Sequence, residues 1–520
     1  MKKYLFIAAA MLVGFNAMAQ ETYENAKIAQ EDLNGTARYV GMGGALDALG
    51  ADISTIASNP AGIGLFRHSQ ANVSFGFVSQ QDAAKSSFVD GTNMSFDQVG
   101  FVYVNRTRKD SYFNVAFNYH KSRNFDYILS AANSLTAASQ NKLSYLKGAD
   151  GMLYDNNGDP YVTCNQLDDI YTYHLFNASG EVDEEGYPVL SYYPSTAFDM
   201  NRGHKGYIGE YDINFSGNIH DRVFLGLTVG IHDVHYKHYG VYGETLEPNP
   251  ENIGSLQVSD ERKITGSGFD IKAGVIVRPI ESSPFRMGLS VSTPTWYDLT
   301  TSNYTTVKDN TGVTASGHES YDFKLYTPWK FGFSLGHTIN NMVALGAGID
   351  YQDFSNLDSR ENTGEYYDYY WDEYRSTSKS DHAMNDHTEK TLKGVTTIKL
   401  GAEVKPTPEL AFRIGYNVST PMYKEEGFKD GTVYSEGSYY SSATDYTNWK
   451  ATNRITAGVG YNVGKMSVDL AYQFTSSTGD FYPFRSYAVQ QDGVTESMSA
   501  KATEVNNKRH QLLLTLGYHF

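Results

Sequence analysis

The chain has 520 residues, a formal net charge of −17, 14% aromatic side chains including 41 Tyr, 48 Gly, 14 Pro and a mean hydropathy of −0.44. An acidic chain without a basic stripe cannot neutralise phosphates, which excludes nucleic acid as a partner. The single Cys164 excludes an internal disulfide and any thiol-built metal site. Beyond the N-terminus there is no run of eighteen apolar residues, so no transmembrane helix is expected. A closed barrel is the remaining way to cross a bilayer, because it pairs every backbone group between strands.

The first residues point to export. Lys2 and Lys3 precede an apolar run, Tyr4 to Gly14, and Ala17-Met18-Ala19 offers a small-x-small cleavage site. Residues 1–19 are expected to be a signal peptide, with a mature chain from Gln20 and a charge near −19.

Residues 20–70 do not alternate as strands do. They read Asp32 to Ala45 with glycines at 35, 41, 43 and 44, then Leu46 to Asp52, then Ser54 to Phe66 with Asn59-Pro60-Ala61-Gly62. Small residues and glycines let one backbone lie close to another. A segment of this kind ahead of a barrel is expected to fill its lumen as a hatch, since a barrel of about fourteen strands would otherwise enclose water. Gly41-Met42-Gly43 follows no buried strand and is not a dinucleotide loop.

From residue 71 to 520 the chain repeats about ten residues of alternating hydrophobicity and then a break. Leu512, Leu514, Leu516, Tyr518 and Phe520 share one face; Gln511, Thr515, Gly517 and His519 share the other. Strands are predicted near 71–79, 98–106, 111–120, 206–218, 221–236, 262–278, 284–296, 321–337, 341–353, 393–405, 408–419, 451–463, 465–476 and 507–520. The result is an all-β, antiparallel, transmembrane barrel of about fourteen strands. Short joins such as Arg106 to Asp110 and Lys405 to Pro408 alternate with long ones at 80–97, 121–205, 237–261, 297–320, 354–392, 420–450 and 477–506. Short periplasmic turns and long external loops are the asymmetry of an outer-membrane barrel. Asp270, Lys272, Arg286, Lys330, Asp350, Lys399, Glu403, Arg413, Arg454 and Asp469 must face the lumen, since a charge on lipid costs roughly 2–4 kcal/mol near the midplane. Trp329, Tyr351 and Tyr461 suit interfacial girdles.

Other signals carry less. His232 and His238 fall on one strand face and His235 on the other, so the three cannot share a metal or haem. Asp155 to Asp159 resembles part of a calcium loop without the downstream bidentate Glu, and reads as a solvated turn. Ser134 to Leu146 is predicted as a short helix in the second external loop. The acidic aromatic run Glu365 to Tyr374 decorates another external loop, where it suits an apolar ligand or a protein partner. No nucleophile, base and orienter converge, so no enzyme is expected, and no cofactor is called for.

Asn59-Pro60-Ala61, preceded by the stretch 45–52 and by Gly35 to Tyr39, resembles the hatch of the FadL family of outer-membrane transporters. Close motif similarity is confined to about residues 33–66, while the architectural likeness spans the mature chain. The resemblance implies passive uptake of hydrophobic small molecules such as long-chain fatty acids across a Gram-negative outer membrane. Ligand would be held near the hatch and released by hatch movement. Tyr39, Met42, Leu46, Ile63 and Phe66 are the apolar ligand candidates on the hatch, and hydrophobic ligand and outer-membrane lipid are the expected partners of a monomeric barrel. The family's exit is sideways, beside a kinked third strand. Here Ser111 to His120 holds no Gly or Pro to make that kink, a departure that leaves the exit unassigned. Accessory barrels of type IX secretion, of the PorV type, also resemble this family and imply the alternative, external loops that hold exported proteins.

Overall fold

The computed structural model describes residues 21–149, 155, 157, 167–168, 170, 177–182 and 188–520, save 251, 341, 371, 434, 436–438, 441–442 and 492–493. The expected signal peptide, Cys164 and most of the 155–159 turn lie outside the described residues.

Fourteen antiparallel strands close into a barrel. They are β1 (Gln70–Gln80), β2 (Thr92–Arg108), β3 (Ser111–Asn124), β4 (Ser195–Ile219), β5 (Val223–Leu246), β6 (Ser255–Val277), β7 (Arg286–Ser292), β8 (Lys330–Ile339), β9 (Val343–Asp353), β10 (Gly394–Val404), β11 (Leu410–Ser419), β12 (Thr452–Val463), β13 (Met466–Tyr482) and β14 (Thr503–His519). Closure comes from β1 pairing with β14, from Gln70↔His519 to Gln80↔Arg509. No strand edge is then left for lipid to face, as a bilayer demands.

The outward face is apolar. Leu225, Leu227, Val229 and Ile231 of β5 are about half exposed on one face, and Leu512, Leu516, Tyr518 and Phe520 repeat the pattern at the C-terminus. Trp329, Tyr351 and Tyr461 are about half exposed, as outward-facing residues are. Of the charges read as luminal, Asp270, Lys272, Lys399, Glu403, Arg413 and Arg454 are buried within the barrel.

The strands run further outward than the sequence pattern indicates. β5 and β6 stay paired to Thr245↔Ser255, so segment 237–261, expected as a loop, is a hairpin with a short connection. Segment 297–320 is likewise mostly hairpin, Trp296–Asp309 against Thr314–Tyr326. Beyond the membrane the outer face of a strand is solvated, so alternation of apolar with polar fades although the ladder continues. The helix predicted at 134–146 is α4, Gln140–Ala149, and it starts late because Ser139 Oγ accepts the Lys142 N–H and caps it. Residues 365–370 and 372–374 lie at the tip of a third hairpin, Asp358–Asp368 with Glu373–Ser380, where Tyr369 and Tyr370 stand almost fully in solvent.

Candidate ligand cavity

Residues 21–66 lie inside the barrel as α1 (Thr22–Ala29), α2 (Ala37–Gly41), α3 (Thr55–Ser58) and a 3₁₀ turn, Pro60–Leu65. Almost every residue from 33 to 66 is buried. What seats the segment is glycine on the wall. Gly336 pairs with Gly346, Gly346 with Gly401 and Gly401 with Gly415, a row across four adjacent strands. A Cβ on Gly346 would collide with the Ala45 carbonyl, one on Gly401 with the Met42 carbonyl, and one on Gly415 with the Gly43 nitrogen. Gly226 and Gly274, paired across β5 and β6, do the same for Pro60 and Asn59. The backbone of this segment therefore lies directly on the wall at β8 to β11 and again at β5.

Backbone groups that this contact would strand find wall side chains, as buried polar groups must. Asn417 Nδ2 donates to Gly43 O at 3.2 Å, Thr456 Oγ1 to Gly41 O at 3.1 Å, Asn114 Nδ2 to Ile63 O at 2.8 Å, and Ala37 N to Thr515 Oγ1 at 2.7 Å. Asn59 Oδ1 accepts from Ala61 N at 3.2 Å and so opens the 3₁₀ turn, where Pro60 sits at a position whose N–H has no helical acceptor. Ala61 packs on Phe224 and Ile276, and Gly62 is forced by Thr55, whose side chain occupies the space a Cβ would need.

The five apolar hatch candidates separate. Tyr39 lines the central cavity. Met42 and Leu46 pack with Leu33, Tyr39 and Leu49, and Ile63 and Phe66 pack with Ile53, Ile56, Val102 and Ala116.

That cavity, about 320 Å³, lies between the hatch and the external loops. One side is apolar: Tyr23, Phe125, Tyr236, Phe354, Met422 and Tyr423. Charges line the rest, and they do not balance. Eight cations (Lys27, Arg123, Arg202, Lys330, Lys399, Lys450, Arg454, Arg509) and five carboxylates (Glu24, Glu31, Asp32, Asp350, Asp445) line it, and Asp47, Asp260 and Asp480 behind the lining pair with Lys399, Arg202 and Lys450, so the imbalance is local.

The excess concentrates at one corner. Asp32 of the hatch takes Arg123 at 2.9 Å, Arg509 at 3.5 Å and the Asn124 N–H at 2.9 Å. Burial alone would raise its carboxyl, but Arg123, Arg509 and Arg454 outweigh that and hold it at about 2. Arg454 donates to Asn417 Oδ1 at 3.0 Å and to Ser419, and among the described residues it has no carboxylate in ion-pair contact. Sequence reading put Arg454 in the lumen but had no means to bring residues 32, 123, 454 and 509 together; only barrel closure does that.

The wall is interrupted beside this corner. The β2–β3 ladder stops at Gln98↔His120, although β2 continues outward, paired to β1 alone. The β3–β4 register slips between Lys121 and Arg123, and the chain resumes as Tyr127–Ser134, paired only with β4. Past Lys121 the chain leaves β2 and leans across to β1 and β14: Gln80 Nε2 donates to Ile128 O at 2.8 Å, and Arg509 to Asn124 O at 3.2 Å. The third strand thus bends without a Gly or Pro of its own. The glycine is on the facing strand, Gly206, at φ +120°, whose carbonyl receives the Phe125 N–H. Asn34 of the hatch bridges the interruption, donating to Asp97 on β2 at 2.9 Å and to Lys121 O on β3 at 3.0 Å.

The histidines fall as alternation requires. His232 and His238 are buried inside; His235 faces out, paired with Asp233 at 2.8 Å. Two buried triads could hold a cation by geometry, His120–Glu210–Asp212 and Glu210–His232–Asp270. Lys272 already stands among them, 2.8 Å from Asp270, 3.4 Å from Asp212 and bonded to Glu210, so an ammonium supplies the positive charge there.

No protein-family model matches the chain, and no curated protein sequence matches it. Among solved structures it is similar to a Pseudomonas aeruginosa FadL homologue, at 11% identity and TM-score 0.49, over 98% of this chain and 100% of that one. It is also similar to the Ralstonia pickettii toluene transporter TbuX, at 11% identity and TM-score 0.47, over 94% and 99%. A third is the CymD monoaromatic hydrocarbon channel, at 8% identity and TM-score 0.49, over 94% and 99%.

Proposed function

We propose that the chain is a FadL-type transporter of the Gram-negative outer membrane, taking up hydrophobic small molecules that carry an anionic head, long-chain fatty acids among them. The observation that carries this reading is the corner of a half-apolar cavity where Arg123, Arg454 and Arg509 gather about the single carboxylate of Asp32, with Arg454 in ion-pair contact with none among the described residues. A carboxylate at that corner would make charge-assisted hydrogen bonds with Arg454 and Arg509, while its chain lay along Tyr23, Phe125 and Tyr423. The head would compete with Asp32 for the guanidinium groups. Loosening Asp32 would also loosen its neighbour Asn34, which bridges the wall, and the ligand would leave sideways between β2 and β3 into lipid. Only residues near 30–34 need move; the glycine-seated body of the hatch stays.

The test is calorimetric titration of the purified barrel with a fatty acid and with the fatty alcohol of equal length. Tighter binding of the acid by about tenfold or more, lost in Arg454→Ala, supports the reading. Equal binding of acid and alcohol would remove the anionic head from it, and recovery of exported protein in place of lipophile from intact membranes would favour the accessory-barrel alternative.

A further inference from the structure

The outer face of the barrel carries a charge pattern that neither lumen nor hatch explains. Lys205 of β4 lies directly opposite Lys237 of β5, and Lys237 directly opposite Lys263 of β6. All three are exposed and share the outward face. Directly opposed side chains on neighbouring strands have Cβ atoms about 5 Å apart, a spacing at which like charges destabilise a sheet. Among the described residues nothing relieves this row: none of the three is in an ion pair, the nearby Asp233 is held by His235, and Glu261 makes no bridge to Lys263. In a chain of net charge −17 a bare three-lysine row calls for an anion from outside.

Its height says which. The apolar band on β5 ends at Ile231, and Lys237 lies six residues further out. At about 3.3 Å per residue and a tilt of about 40°, that is about 15 Å beyond the hydrocarbon edge along the barrel axis. That is past the roughly 5–8 Å headgroup zone of an ordinary phospholipid leaflet, at the height of headgroups that extend further outward, and the long lysine stems reach back towards the bilayer. Tyr207 and Tyr239 flank the row, Tyr207 packed on His235 with ring centroids 5.3 Å apart. We propose that Lys205, Lys237 and Lys263 form a docking site for the phosphorylated sugar headgroup of an outer-leaflet lipid. The three ammonium groups pair with its phosphates, and the flanking tyrosines lie against its sugar rings. This site is on the opposite side of the wall from the cavity, so it stands whether or not the transport reading does.

Native mass spectrometry of the full-length barrel, offered bisphosphorylated lipid A or the same lipid stripped of both phosphates, tests the proposal. The wild-type barrel should retain the phosphorylated lipid at least about tenfold better. The triple variant K205S/K237S/K263S should fall to the phosphate-free level, and K205R/K237R/K263R should keep most of the retention. A control triple of exposed lysines elsewhere, K109S/K390S/K465S, should change nothing. Heat-shifted gel mobility reports that each variant is folded. Retention undiminished in the serine triple would overturn the proposal, as would equal loss in the control triple. Full displacement by millimolar inorganic phosphate would also overturn it, since the site would then read a free anion and not a lipid.

Discussion

Adding one methyl group to the barrel wall should unseat the hatch. In an ordinary strand, Gly→Ala stabilises by roughly 0.5–1 kcal/mol, because alanine loses less conformational freedom on folding. Neither Gly346 nor Gly401 has a positive φ, so the backbone accepts alanine at both. The new Cβ atoms, however, would fall on the carbonyl oxygens of Ala45 and Met42, and backbone cannot rotate aside as a side chain can. Overpacking costs about 1–3 kcal/mol per site, so the double variant G346A/G401A should bias against the seated hatch by about 2–6 kcal/mol. At 1.4 kcal/mol per factor of ten, that multiplies the unseated population by between about 30 and 10⁴. The assay is single-channel conductance in a planar bilayer: the wild-type barrel should be nearly closed and the double variant should open to a wide, flickering conductance. Gly217→Ala, where a Cβ meets nothing within 4 Å, is the matched control and should stay closed. A double variant as closed as wild type, with unchanged heat-shift temperature, would refute the claim that backbone contact holds the hatch.

Arg454→Ala should weaken binding of carboxylate-headed ligands by about 1.5–3 kcal/mol, the scale of a hydrogen bond to a charged group, and leave binding of neutral hydrocarbons unchanged in the same titration. Asp32 gives a pH dependence with a fixed sign. Its folded carboxyl sits at about 2, below the unfolded value near 3.9, so its stabilisation is present above pH 4 and is lost as pH falls from 4 through 2. The difference is about 2 kcal/mol, and protease cutting within residues 21–34 should rise over that window in wild type but be flat, and already high, in Asp32→Asn. Asn34→Ala should raise the same cutting and the leak conductance, because Asp97 and Lys121 O then lose the hatch donor that bridges β2 to β3. Leu227→Lys, on the lipid face, should cost about 2–4 kcal/mol in urea unfolding from lipid vesicles.

The barrel was readable because each membrane crossing obeys one rule, apolar out and polar in, and the last strand states it from Leu512 to Phe520 without interruption. The same rule hides the upper strands: outside the bilayer Lys205 and Lys237 face outward, and the predicted strands stop beside them although the ladder continues. The glycines of the wall were visible as a residue type; that Gly336, Gly346, Gly401 and Gly415 stand in one row depends on register, which short turns set and alternation alone does not. The bend of the third strand has no Gly or Pro of its own to announce it, and the glycine beside it is Gly206 on its neighbour. The cavity corner is the least legible part, since Asp32 and Arg509 meet only when the first strand closes on the last.

In the proposed mechanism residues 30–34 move to let a hydrophobic ligand out through the wall. The direct measurement is uptake of radiolabelled fatty acid by cells carrying the barrel with Cys164 replaced by Ser and with Asn34→Cys and Asp97→Cys, treated with a short thiol cross-linker that reduction cleaves. Uptake should stop on cross-linking while binding by the purified protein persists, and should return on reduction. Uptake that continues undiminished in the cross-linked barrel would contradict the account.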